Sequence, residues 1–166
     1  VNRLFAERLR PRLRDDDLVW VHDYHLIPLG RELRRLGVVR PLGFFLHIPF
    51  PHAEALRALP RCDSLVRDLL AYDLVGFQTG RDLACFRSAV AEVVGADALR
   101  ADDVVQHGGH RTRLGVFPIG VDVDAVQQEA RQSLASDSVR RMSRGLLGRR
   151  CAIGVDRLDY SKGLVD

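Results

Sequence analysis

The sequence predicts an α/β chain, a mostly parallel sheet with flanking helices. Three observations predict it. Short apolar runs at 18–22, 42–46, 74–77 and 151–155 alternate with longer stretches whose apolar residues recur at helical intervals. Gly, Pro or Asp separates most of these segments. Polar residues follow the carboxyl ends of several runs, the rim at which open α/β sheets bind ligands.

Taken in order, residues 2–14 set Leu4, Phe5, Leu9 and Leu13 at helical spacing, and Asp15-Asp16-Asp17 ends that amphipathic helix. Leu18 to His22 is a short buried strand. Leu26, Leu29, Leu33 and Leu36 mark the next helix, with Pro28 early and Gly37 after its end. Leu42 to Leu46 is the second strand, and Pro49-Phe50-Pro51 forces a stiff, non-helical connection. Two short helical patterns follow, around 53–59 and 64–71. Leu74 to Phe77 is the third strand. Thr79 and Asp82 have the N-cap and N3 spacing of a helix marked by Leu83, Phe86, Val90 and Val93, which Gly95 closes. Val104 to His107 and Arg111 to Phe117 flank Gly108-Gly109 and read as a hairpin. Pro118 to Asp122 is a stiff exit loop. Residues 124–135 and 137–147 are helical by pattern, and Cys151 to Val155 is the last strand. The hairpin and the proline loop interrupt the alternation, which puts a change of domain after Phe117.

Composition narrows the class. The chain has 166 residues, 46% hydrophobic and 28% charged, which suits one domain-sized core. The net charge of +3 is scattered, and no aromatic-plus-basic stripe argues for nucleic acid. An anionic small molecule fits as a partner. The three cysteines, Cys62, Cys85 and Cys151, are far apart and lack metal-site spacing, as in a reduced, cytoplasmic chain. No signal peptide is expected, and no apolar run is long enough to span a bilayer. Val1 is not an initiator methionine, and the chain stops at Asp166 where a helix should begin. The expectation is a piece of a longer protein.

The chemistry gathers at strand ends. The first strand leads into Asp23-Tyr24-His25, the second into His47, and the last into Asp156-Arg157. Asp23 and His47 should therefore line one crevice. Lys162 is the only lysine, and it follows Arg157 on the same loop. A guanidinium fork and a compact ammonium together suit a diphosphate. Each residue also has a plainer reading. His22 and His25 could be metal ligands, although no third ligand is assignable. Asp23 could cap the following helix, His47 could be a hydrogen-bonded core histidine, and Arg157 and Lys162 a solvated surface pair. Asp122-Val123-Asp124 looks like a metal–nucleotide motif but reads better as a helix cap. No dinucleotide fingerprint, Walker loop or hydrolase signature is present.

Four blocks carry a resemblance: Val19-Trp20-Val21-His22-Asp23-Tyr24-His25-Leu26, Gly43-Phe44-Phe45-Leu46-His47-Ile48-Pro49-Phe50-Pro51, Tyr72-Asp73-Leu74-Val75-Gly76-Phe77-Gln78-Thr79 and Val155-Asp156-Arg157-Leu158-Asp159-Tyr160-Ser161-Lys162-Gly163-Leu164. In this order and spacing they closely resemble the trehalose-6-phosphate synthase family, glycosyltransferase family 20, across essentially the whole chain. The resemblance implies a GT-B fold of two facing Rossmann-like domains. Residues 1–122 would be the second half of the N-terminal, acceptor-side domain. Residues 123–166 would supply linker helices and the start of the C-terminal, nucleotide-sugar domain.

The implied activity is retaining transfer of glucose from a nucleoside-diphosphate glucose, UDP-glucose foremost, to glucose-6-phosphate. By position Asp23 matches the aspartate that hydrogen-bonds the acceptor, and His47 the histidine that contacts the donor glucose. Ile48 matches a position lining the anomeric centre, and Arg157 and Lys162 match the pair that grips the donor diphosphate. The resemblance implies small-molecule substrates; the sequence requires no metal or other cofactor, its composition argues for no nucleic-acid or membrane partner, and homo-oligomers stay open. The piece alone should be inactive. A glucosylglycerol-phosphate synthase with another acceptor, or a non-catalytic sugar-phosphate-sensing relative, would share the same blocks.

Overall fold

The computed structural model describes residues 1–146, 149, 152 and 154–156. They fall into two compact units, Val1–Ile119 and Gly120–Asp166. In the first unit α1 (Asn2–Leu9) runs into a 3-10 turn at Arg10–Arg12, because Pro11 has no N–H to continue the α-helical ladder. Then come β1 (Val19–His22), α2 (Leu29–Arg35), β2 (Leu42–Phe45), α3 (Ala53–Arg57) and α4 (Cys62–Leu69). β3 (Leu74–Phe77), α5 (Gly80–Val94), β4 (Leu99–Arg100), β5 (Val104–His107) and β6 (His110–Val116) complete it. The second unit contributes α6 (Val123–Ser133) and α7 (Asp137–Leu146), neither of which buries a residue. Asp122 caps α6, accepting the Ala125 N–H at 2.9 Å, so the Asp122-Val123-Asp124 stretch does the work of a helix start.

Among the described residues six strands form one sheet in the order β1-β2-β3-β6-β5-β4. β1, β2, β3 and β6 are parallel neighbours, and β5 and β4 add an antiparallel margin. The hairpin between β5 and β6 turns at Gly108 and Gly109, with φ of +55° and +80° as a two-residue turn of this hand requires. Each parallel connection steps the same way across the sheet. Right-handed crossovers then put α2, α3, α4 and α5 on one face. The register agrees. Val19, Val21, Phe44, Val75, Phe77 and Leu114 share that face and are buried in one cluster with Leu33, Val66, Leu69, Phe86 and Val90 of the helices. On the other face Trp20 is 63% exposed and Leu74 38%.

Polar ties fix the helices to the strand ends. Thr79 caps α5, accepting the Asp82 N–H at 3.2 Å. Asp82 is too short to close the usual reciprocal box, and its carboxylate instead accepts the Thr79 hydroxyl at 2.6 Å and the Phe50 N–H at 3.0 Å. Arg34 at the end of α2 pairs with Asp73 at 2.7 Å and donates to the Val38, Arg40 and Ala71 carbonyls. Arg31 and Asp68 approach to 2.6 Å between α2 and α4 as an ion pair without hydrogen-bond alignment, and burial pushes the Asp68 carboxyl up. Among the described residues no helix is long and apolar enough to cross a membrane.

Packing is tight at Gly30, where an added Cβ would lie 2.6 Å from the Tyr72 ring. Tyr72 is fully buried and cannot swing away. Gly30→Ala is expected to destabilise the fold by about 1–3 kcal/mol, read as a lower urea midpoint at unchanged slope.

Candidate active site

The parallel strands β1 and β2 end side by side, with His22 in register with Phe45. One residue on, the Asp23 N–H donates to the Phe45 carbonyl at 2.9 Å and extends the ladder. Asp23 then turns the chain with φ 67° and ψ 164°, a region that only glycine occupies freely. Its carboxylate accepts the Tyr24 N–H at 3.0 Å and caps the 3-10 turn Tyr24–Leu26. An aspartate held in strained backbone at a strand end is the kind of outlier that marks a functional position.

Beside it, His22 Nδ1 lies 2.9 Å from His47 Nε2. One nitrogen donates and the other accepts, so the two tautomers are linked. Trp20 packs on His22 with ring centroids 4.5 Å apart, and Phe45 meets His47 edge-on at 4.8 Å. The rim thus offers a carboxylate acceptor and two oriented imidazoles, a set suited to the hydroxyls of a sugar.

Below the pair a cavity of about 580 Å³ opens on the sheet face opposite α2–α5, with Trp20, His22, Phe45, His47, Gln78 and Phe117 in its wall. Two of the wall rings lie close on the sheet because glycines stand beneath them. A Cβ on Gly76 would fall 2.7 Å from the Phe45 ring, and one on Gly115 2.6 Å from the Phe117 ring. The Gln78 side-chain carbonyl accepts the Ile119 N–H at 3.0 Å and holds the chain at the cavity mouth.

Of the residues singled out in the sequence, Asp23, His47 and Ile48 lie at the ends of adjacent strands, His47 in the cavity wall and Asp23 and Ile48 outside it. Arg157 and Lys162 lie outside the described residues, as do Cys151 and Ile153 of the expected last strand. The plainer reading of Asp23 as a cap also holds. His47 is exposed, so it is not a core histidine. His22 and His25 part company: His25 stacks on Tyr24 with centroids 3.8 Å apart. Among the described residues no group of three or more His, Cys, Asp or Glu could hold a metal. Sequence reasoning missed His22 as the partner of His47. The signal was present in the alternation of β1, where Val19 and Val21 face the helices and His22 must face the other way.

A sequence model of glycosyltransferase family 20 matches residues 1–166. The chain belongs to that family. It is 43% identical to a trehalose-6-phosphate synthase of Sinorhizobium fredii over 164 residues, 99% of this chain and 35% of the relative. A trehalose-6-phosphate synthase of Escherichia coli is 40% identical over the same length, 34% of its own. Among solved structures, an α,α-trehalose-phosphate synthase (UDP-forming) from Burkholderia xenovorans in complex with glucose-6-phosphate superposes with a TM-score of 0.86 at 42% identity, covering 98% of this chain and 36% of that one. The Escherichia coli enzyme bound with UDP-2-fluoro glucose gives 0.81 at 38% identity, with the same coverage. The chain thus spans about a third of the length of these family-20 proteins, and its α/β sheet is part of the GT-B fold that they share.

The strain at Asp23 is measurable in isolation. Asp23→Ala and Asp23→Gly both delete the cap, but only alanine keeps a Cβ at positive φ. The glycine variant is expected to be more stable than the alanine variant by about 1–3 kcal/mol in urea unfolding.

Proposed function

We propose that the intact protein is a retaining glycosyltransferase that moves glucose from a nucleoside-diphosphate glucose, UDP-glucose foremost, to glucose-6-phosphate, giving trehalose-6-phosphate. The observation that carries the reading is Asp23, strained and carboxylate-bearing, on the same rim as the His22–His47 pair in a family-20 chain. Support also comes from two similar enzymes, one solved with glucose-6-phosphate and one with a fluorinated UDP-glucose. On this reading residues 1–122 belong to the acceptor-side domain and residues 123–166 open the nucleotide-sugar domain.

The roles follow from the chemistry of each side chain. Asp23 accepts a hydroxyl of the acceptor sugar. His47 holds the donor glucose, with His22 fixing its ring, and Ile48 lines the anomeric centre. Arg157 and Lys162 grip the donor diphosphate. As the bond from the anomeric carbon to the diphosphate breaks, negative charge grows on the leaving oxygens. Preorganised cations there are worth about 3–4 kcal/mol each in the barrier. The acceptor oxygen bonds to the anomeric carbon on the face the diphosphate leaves, and its proton passes to a departing phosphate oxygen. Retention then needs no protein nucleophile, and much of the remaining gain is proximity.

The test uses the full-length protein with UDP-glucose and either glucose-6-phosphate or glycerol-3-phosphate. The α,α-linked disaccharide phosphate should form with the first acceptor. Product with glycerol-3-phosphate alone would identify a different acceptor class, and no transfer to either would end the enzymatic reading. Lys162→Ala should lower turnover by about 10²–10³-fold with an unchanged unfolding midpoint.

A further inference from the structure

Away from the rim, the first two turns of α5 carry a second cluster of reactive side chains. Arg81 Nη2 lies 2.8 Å from His52 Nε2, and Cys85 Sγ lies 3.5 Å from His52 Nδ1. A guanidinium can only donate, so Nε2 accepts and the neutral ring carries its proton on Nδ1. That N–H faces the Cys85 sulfur, with a permanent positive charge on the other side of the ring. His52 is held there independently. The Phe50 N–H, two residues before it, donates to the buried Asp82 carboxylate at 3.0 Å. Cys62 provides the internal contrast. It is half-buried like Cys85, but its sulfur lies 3.4 Å from the Asp63 carboxylate, which opposes negative charge on sulfur.

We propose that Cys85 is a modification site, a nucleophilic thiol primed by His52 and Arg81 for attack on a small uncharged electrophile of the hydroperoxide class. In that step the sulfur attacks one peroxide oxygen. An S–O bond forms and the O–O bond breaks. The thiol becomes a sulfenic acid, a two-electron oxidation, and the hydroperoxide is reduced to water or an alcohol. The thiol proton ends on the departing oxygen. The His52 N–H stabilises the negative charge that sulfur gathers before attack, and Arg81 keeps that N–H on the correct nitrogen. His52 closes the segment that begins at His47, so the modified sulfur sits where that segment meets α5.

The experiment exposes the full-length protein to limiting hydrogen peroxide with a cyclic 1,3-diketone that traps sulfenic acid, and maps the label by peptide mass spectrometry. Cys85 should be labelled about ten-fold more than Cys62. His52 makes no side-chain cap bond at the start of α3, and serine is a good N-cap, so His52→Ser should fold. It should cut Cys85 labelling by about five-fold or more and leave Cys62 unchanged. Should His52→Ser not fold, Arg81→Gln on the exposed side of α5 is read by the same criterion. Labelling of Cys62 equal to or above that of Cys85, or undiminished Cys85 labelling in a folded variant, overturns the proposal.

Discussion

The Tyr72 hydroxyl is the point at which the layers of the first unit are joined. It accepts the Gly30 N–H at 2.9 Å and donates toward the Leu26 and Ile27 carbonyls at 2.9 and 3.2 Å. These are the groups that the break between the 3-10 turn and α2 would leave orphaned. Its ring lies against Gly30 and tilts over Phe44 of β2 at 5.1 Å, while its carbonyl accepts the Thr112 hydroxyl of β6 at 2.8 Å. One buried residue, through its side chain and its carbonyl, thereby ties the corner after β1 to two other strands. Burial pushes its phenol well above the usual range, so it stays a neutral donor. The corner it fixes is the one that begins at Asp23.

That explains how the rim tolerates strain. Asp23 is bound on both sides: its N–H joins the β2 ladder, and the turn after it is anchored by Tyr72. A backbone held at both ends can keep an unfavourable φ between them. The histidine pair is set by a different device, the parallel register of β1 and β2, which needs no strain. The rim therefore combines an over-determined carboxylate with two imidazoles that fix each other's tautomer.

Much of this was legible in the sequence, for physical reasons. β3 appears at Leu74–Phe77 as its apolar run predicts, because a strand buried on its helix face needs one. α5 was announced by Thr79, its leucine and valine spacing and Gly95. The hairpin followed from Gly108-Gly109. β4 was not legible: Leu99–Arg100 is two residues, too short to carry a period. The shortening of α1 needed Pro11 to be weighed against the leucine pattern. Asp23 and His47 could be named from position alone. Their geometry could not, because the His22–His47 contact depends on strand register, and the backbone strain at Asp23 has no composition signal.

The two margins of the sheet are unequal. At one side the last strand is a two-residue stub, reached through Asp102 and Asp103 in left-handed conformation, so it offers almost no ladder and two charges beside it. At the other side β1 pairs with β2 alone among the described strands. A further strand would meet a four-residue ladder next to β1 and only a two-residue one next to β4.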